Sequence, residues 1–235
     1  MKLLALDTSA KTASAALLEE DRLLAEYSVN LGLTHSQTIL PICETILRQA
    51  GLSAADLDYF AVSCGPGSFT GLRIGIAAVK GMAYAAGRPC AAVSTLEALA
   101  WNLCDCTATA CCVMDARCHQ VYNALFDVAP GSVRRRTPDR AISLADLRRE
   151  LESEKNPVIL VGDGADLCYN EYQEALPGVL LCGAANRYQR AASVGLAAWR
   201  KIRAGDTVDA AGLMPEYLRL PQAERELKKK RRCER

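Results

Sequence analysis

KLLALDTSAKTASAALLEEDRLLAEYSV, Lys2 to Val29, holds three apolar runs of strand length: KLLALDT, TASAALLE and RLLAEYSV. The charged residues of EEDR make the second connection a tight turn, so the chain opens on three strands. A helix is expected next, from about Thr34 to Ala50. Thr34 or Ser36 caps it, Ile39, Leu40, Ile42, Cys43, Ile46 and Leu47 are its apolar residues, and Gly51 stops it. Pro41 removes a backbone donor and crowds the preceding turn, which predicts a kink or a late start. YFAVSC then reads as a short buried strand. It leads through SCGPGSFTGLRIG, Ser63 to Gly75, into a helix from Phe69 to Ala86 whose small residues, Gly75, Ala77, Ala78, Gly81 and Ala85, let another backbone come close. PCAAVS and TLEALAWNL add a strand and a helix.

Near residue 105 the pattern restarts. TACCVMDA and QVYNALFDV pair across RCH, a basic loop GSVRRRTPDR follows, SLADLRREL reads as a helix and PVILVGDGA as a buried strand ending in a turn. RAASVGLAAWRKIRAG is the last long helix, before an extended MPEYLRL and the tail ERELKKKRRCER. Two halves of similar order suggest a duplicated βββαβα unit, with lobes over 1–104 and 105–220 and a basic, disordered tail over 221–235.

The 235 residues are 50% hydrophobic, ample for a sizeable core. With 28 Lys+Arg against 27 Asp+Glu, no global field favours nucleic acid, membrane or an acidic substrate. MKLLALDTSA is too short in apolar residues for a secretion signal, and no later run reaches the length of a spanning helix, so a cytoplasmic protein is expected. Eleven cysteines, an odd number, fall mostly in strands and helices and read as small buried hydrophobes. Cys104, Cys106, Cys111 and Cys112 cluster, yet their spacing matches no paired zinc knuckle and no histidine lies near.

Asp7 at a strand end, Asp115 at the end of the first strand of the second half, and GDG at 162–164 are ordered as in actin-like ATPases and sugar kinases. There, two hairpin turns hold phosphates, a carboxylate orients magnesium or a nucleophile, and a later glycine turn carries adenosine. An aspartate at a strand end is also an ordinary turn residue. The first turn, DTSAKTAS, has no glycine, so its amides approach a phosphate less freely. The 63–75 stretch sits between strand and helix, where anions bind, but it has neither the Gly-Lys-Ser/Thr end of a P-loop nor the dinucleotide spacing. The alternative is that Gly65 and Gly67 set a tight turn, Ser68 or Thr70 caps the helix, and Gly71 and Gly75 flatten its face. Arg73 has no part in either reading.

LALDTS at 4–9, THSQTILP at 34–41, GPGSFTGLRIG at 65–75, DAR at 115–117 with Tyr122 beyond, GDG at 162–164 and PEYLR at 215–219 together resemble the bacterial TsaB family over nearly the full chain. The resemblance implies an actin-like (ASKHA) α/β fold of two lobes and a non-catalytic role in placing threonylcarbamoyl on adenosine beside the tRNA anticodon. It implies pairing with a TsaD-like catalytic subunit, a TsaE-like ATPase as a further partner, a second copy of the chain when alone, and no cofactor. The catalytic relatives carry H-x-x-x-H, which puts two imidazoles on one helix face to share a metal. Here the segment is His35-Ser36-Gln37-Thr38-Ile39, and isoleucine cannot ligate, so no metal site is expected. His35, Ile39, Cys43, Thr70, Arg73, Ile74, Gly75 and Ala78 are the expected partner interface, where two helix pairs pack across a chain boundary. Asp7, Asp115, Gly162 and Gly164 are a residual nucleotide site. Two rivals remain: an ATP-dependent transferase or kinase using Asp7 and Asp115, and a tRNA-binding module acting through the basic tail.

Overall fold

The computed structural model describes residues 1–219; the expected disordered tail lies outside them. The first sheet is built from β1 (Lys2–Asp7), β2 (Ala13–Glu19), β3 (Arg22–Val29), β4 (Tyr59–Gly65) and β5 (Cys90–Ser94), in the order β3-β2-β1-β4-β5. β2 runs antiparallel to β1 and β3, while β4 and β5 run parallel to β1. The second contains β6 (Ala108–Asp115), β7 (Gln120–Ala129), β8 (Ser132–Arg135), β9 (Arg140–Ser143), β10 (Val158–Val161) and β11 (Val179–Leu181). Its order, β11-β10-β6-β7-β8 with β9 also on β7, is the first sheet's order read from the other edge. The unit is therefore present twice, as the restart near residue 105 predicts.

Strand alternation explains the layers. In β1, Leu4 and Leu6 face helices α1 (His35–Gln49) and α2 (Phe69–Ala86), while Leu3 and Ala5 face the opposite side. The second sheet likewise puts Cys111 and Val113 against α4 (Leu144–Leu151) and α5 (Ala165–Tyr172). Between the sheets lie α3 (Thr95–Trp101) and α6 (Ala191–Arg203), which pack on each other. Leu96, Trp101, Ala197 and Trp199 there share one core with Leu3 of the first sheet and Phe126 of the second. Cys43, Cys64, Cys90, Cys111, Cys112, Cys168 and Cys182 are buried free thiols, and burial pushes the Cys43 and Cys64 thiols up to about 12.

α1 begins at His35 and continues through Pro41, so of the two alternatives at Pro41 the late start is excluded. Three further features differ from the sequence reading. The basic loop is two strands: Arg134 pairs with Asp127, Arg136 with Glu154 at 2.8 Å and Arg140 with Glu150 at 2.7 Å. The charge that suggested a loop is spent on neighbouring acids. α5 and β11, absent from the sequence reading, are short, and Leu167 and Leu180 in them are exposed, which weakens the hydrophobic pattern. Lastly α6, placed by sequence in the second lobe, lies across the inner face of the first sheet: Arg190 pairs with Glu26 at 2.6 Å, and the Ala191 amide donates to Ser14 Oγ at 3.1 Å. The chain beyond it stays with the first lobe, where Cys90 and Val208 exchange backbone bonds of 2.7 and 2.9 Å.

Candidate functional site

Two regions stand out: the cleft between the lobes, and the outer face of α1 and α2. Asp7 ends β1 at the base of the cleft and is fully buried. Its Oδ1 accepts from the Ser9 amide at 2.9 Å and the Ser9 hydroxyl at 2.7 Å, and its Oδ2 from Ser63 Oγ at 2.5 Å. Burial raises its pKa against the pull of these donors. The carboxylate thus organises the β1–β2 turn, and the Ser9 amide is already used on it.

The glycine stretch closes on that same turn. A Cβ at Gly71 would strike the Thr8 carbonyl, one at Gly75 the Thr8 hydroxyl, and one at Gly67 would lie 2.5 Å from the Ser9 carbonyl. Thr8 Oγ1 donates to the Gly71 carbonyl at 2.8 Å, and the Ser68 amide to the Ser9 carbonyl at 2.7 Å. Ser68, rather than Thr70, caps α2, accepting from the Gly71 amide at 3.2 Å. These glycines seat the helix start against the β1–β2 turn.

Across a cleft of about 400 Å³, lined among others by Ser9, Lys11, Asp115, Arg117 and Asp163, lies the second lobe's equivalent end. Asp115 is exposed, and its Oδ1 accepts from the Arg117 amide at 2.7 Å, opening a turn in which Arg117, Cys118 and His119 have φ of 65°, 54° and 54°. A Cβ on Gly162, with φ 115°, would strike the Val113 carbonyl of β6, and one on Gly164 would lie 3.0 Å from the Met114 backbone, so both glycines let this turn pack closely on β6. Asp163 between them does line the cleft. It accepts from Gln189 Nε2 at 2.9 Å, and burial lifts it to about 6. Sequence reasoning quoted GDG for its glycines and passed over this aspartate.

On the α1–α2 face the expected interface divides. Thr70 and Arg73 are exposed, and Ile74 and Ala78 half-buried. Ile39 and Cys43 are buried under α1, where Cys43 also lines the groove beside α2, and Gly75 faces Thr8. His35 is half-buried, its Nε2 2.7 Å from the Ala10 carbonyl, and it ties the start of α1 to the β1–β2 turn. What the face presents instead is Leu40, Ala77, Gly81, Tyr84 and Ala85, with Leu31 and Leu33 just before α1. Tyr84 is 84% and Leu31 79% exposed, unusual for such side chains. A groove between the helices is walled by Leu40, Pro41, Leu47 and Met82.

Two copies of one α/β unit, stacked through α3 and α6 with their β-turns facing across a cleft, define a two-lobed actin-like protein. Component A of (R)-2-hydroxyglutaryl-CoA dehydratase from Acidaminococcus fermentans shares this fold, with a TM-score of 0.51 at 12% identity over 86% of this chain and 99% of that one. The family model described as TsaD, tRNA N6-adenosine threonylcarbamoyltransferase, matches residues 31–227. The Bacillus subtilis tRNA threonylcarbamoyladenosine biosynthesis protein TsaB is 35% identical over 95% of this chain and 96% of its own length. A Pseudomonas aeruginosa protein, described as uncharacterized with similarity to peptidase YeaZ, superposes with a TM-score of 0.80 at 30% identity, covering 93% of this chain and 99% of that one. The chain belongs to the TsaB family.

Proposed function

We propose that this chain is a non-catalytic scaffold subunit of the cytoplasmic machinery that forms threonylcarbamoyladenosine beside the tRNA anticodon. It acts by docking the outer face of α1 and α2 on a TsaD-like catalytic subunit. A TsaE-like ATPase is the further partner, and a second copy occupies the face when the chain is alone. The observation that carries this reading is the α1–α2 face itself: Leu31, Leu33, Leu40 and Tyr84 are exposed, and Ala77, Gly81 and Ala85 form an exposed strip of α2 that lets a second helix approach closely.

The kinase or transferase rival needs Asp7 as a free carboxylate and a turn with amides to spare. Asp7 instead has both oxygens occupied, and Ser9 is engaged through amide, hydroxyl and carbonyl. Reconstitution with the catalytic subunit, the ATPase and the threonylcarbamoyl donor enzyme tests the choice. Omission of this chain or Gly81→Arg is expected to abolish tRNA modification, whereas Asp115→Ala retains it in full. Loss of activity in Asp115→Ala, with the variant folded and partner-bound, makes the chain a catalyst.

A further inference from the structure

Arg73 and the PEYLR stretch find their place in one arrangement. After Leu213, buried in the core beneath α1 and α2, the chain runs along the mouth of the interlobe cleft. The Glu216 amide donates to the Cys64 carbonyl at 2.7 Å. The Glu216 carbonyl lies where Gly65, at φ 138°, leaves room that any Cβ would fill. The Tyr217 ring stacks on Phe69 with centroids 4.8 Å apart, and its hydroxyl accepts from Arg73 Nε at 2.9 Å. The Arg73 guanidinium sits 3.9 Å above the Phe69 ring. Two residues on, Arg219 reaches the second lobe, where it donates to the Ala116 carbonyl at 2.9 Å and lies 5.9 Å from the Tyr122 ring centre.

We propose that residues 213–219 are a strap that latches the two lobes across the interlobe cleft, with Phe69, Arg73 and Tyr217 as its catch. The segment belongs to no helix or strand, it is anchored to a different lobe at each end, and Glu216, Tyr217, Leu218 and Arg219 themselves wall the cleft. Its catch is at the surface, where hydrogen bonds and ring contacts are individually weak. A strap so held opens far more often than the sheets it spans. When it lifts, the Tyr217–Phe69 stack and the Arg219–Ala116 hydrogen bond that together span the mouth are lost, and the turns at Ser9–Lys11 and Asp115–Arg117 are free to part. The strap therefore sets how open the cleft stands. This holds whether or not the α1–α2 face binds a partner.

Amide hydrogen exchange read by mass spectrometry on the full chain tests it. Tyr217→Ala is expected to speed exchange about fivefold to tenfold, as loss of a hydrogen bond and a stack implies, in peptides covering 213–219, 9–13 and 115–120. Peptides of α4 and β10 keep their parent rates. Arg219→Ala, which removes the strap's attachment to the second lobe, is expected to give the same pattern at severalfold. Tyr84→Ala, on the far half of α2, changes none of these peptides. The proposal is overturned if the strap loosens while both cleft turns keep parent rates, for the segment is then a tether and no latch. Uniform acceleration of every peptide in Tyr217→Ala reports general destabilisation, and Arg219→Ala then decides: unchanged rates at 9–13 and 115–120 in that variant overturn the proposal.

Discussion

Asp7 is fully buried and Asp163 half-buried against the cleft, and the two carboxylates answer differently to substitution because their partners differ. Asp7 accepts from three donors inside the β1–β2 turn, so Asp7→Ala strands Ser63 and Ser9 hydroxyls without solvent. A loss of about 2–3 kcal/mol is expected in urea unfolding, with most of it recovered in Asp7→Asn. Any activity measured on Asp7→Ala therefore has to be separated from its stability. Asp163 has one side-chain donor, Gln189, and burial lifts it to about 6. The folded state then holds the proton more tightly than the unfolded chain, so the group costs nothing below the unfolded carboxylate range of about 4 and destabilises increasingly as pH rises through 6. Asp163→Asn keeps an acceptor for Gln189 and removes this titration. It is expected to exceed the parent by on the order of 1–2 kcal/mol near pH 7.5 and by nothing near pH 4, read as the difference in urea midpoints.

At the scale of elements, α2 joins the start of the cleft to the outer face, and its glycines sort by which side they serve. At Gly71 an added methyl meets the Thr8 backbone carbonyl, which cannot turn away, so Gly71→Ala is expected to cost roughly 2–4 kcal/mol by pushing the helix off the β1–β2 turn. At Gly81 a Cβ has open space. Gly81→Ala is expected to raise stability by about 0.5–1 kcal/mol, the ordinary helix preference of alanine, and thermal melts of the two variants should move in opposite directions. Both glycines stand in one helix and look alike in the sequence. Their difference lies in what each faces, and the same is true of α1, where Leu40 is exposed while Ile39 and Cys43 on either side of the turn are buried. The apolar residues of α1 form one arc with Leu40 at its edge, and periodicity does not say where along such an arc burial stops.

For the whole molecule, the decisive feature is that α3 and α6 belong to both sheets at once. Trp199, 1% exposed, packs edge-on to Tyr59 of the first sheet with ring centres 6.0 Å apart, in a core that also contains Phe126 of the second. Trp199→Ala is expected to cost about 3–5 kcal/mol and to lower the melting of both lobes together. Calorimetry should show one transition, and two resolved transitions would mean that the lobes have separate cores.

The sequence by itself determined the first half's element order and the repeat, though not β8, β9, α5 or β11, because alternation in β1 and β6 and the stop at Gly51 are local properties of the chain. It also determined the family, because GPGSFTGLRIG is a run whose glycines each face a close neighbour, a backbone carbonyl at Gly65, Gly67 and Gly71 and the Thr8 hydroxyl at Gly75, and tolerate little else. Only the tertiary structure decided that α6 returns to the first sheet, that Gly162 and Gly164 abut β6, and that Arg73 holds Tyr217 from 144 residues away. Those facts are contacts between segments remote in sequence. Hydrophobic pattern records that a residue is buried, whereas the identity of what buries it is fixed by how the sheets and helices stack.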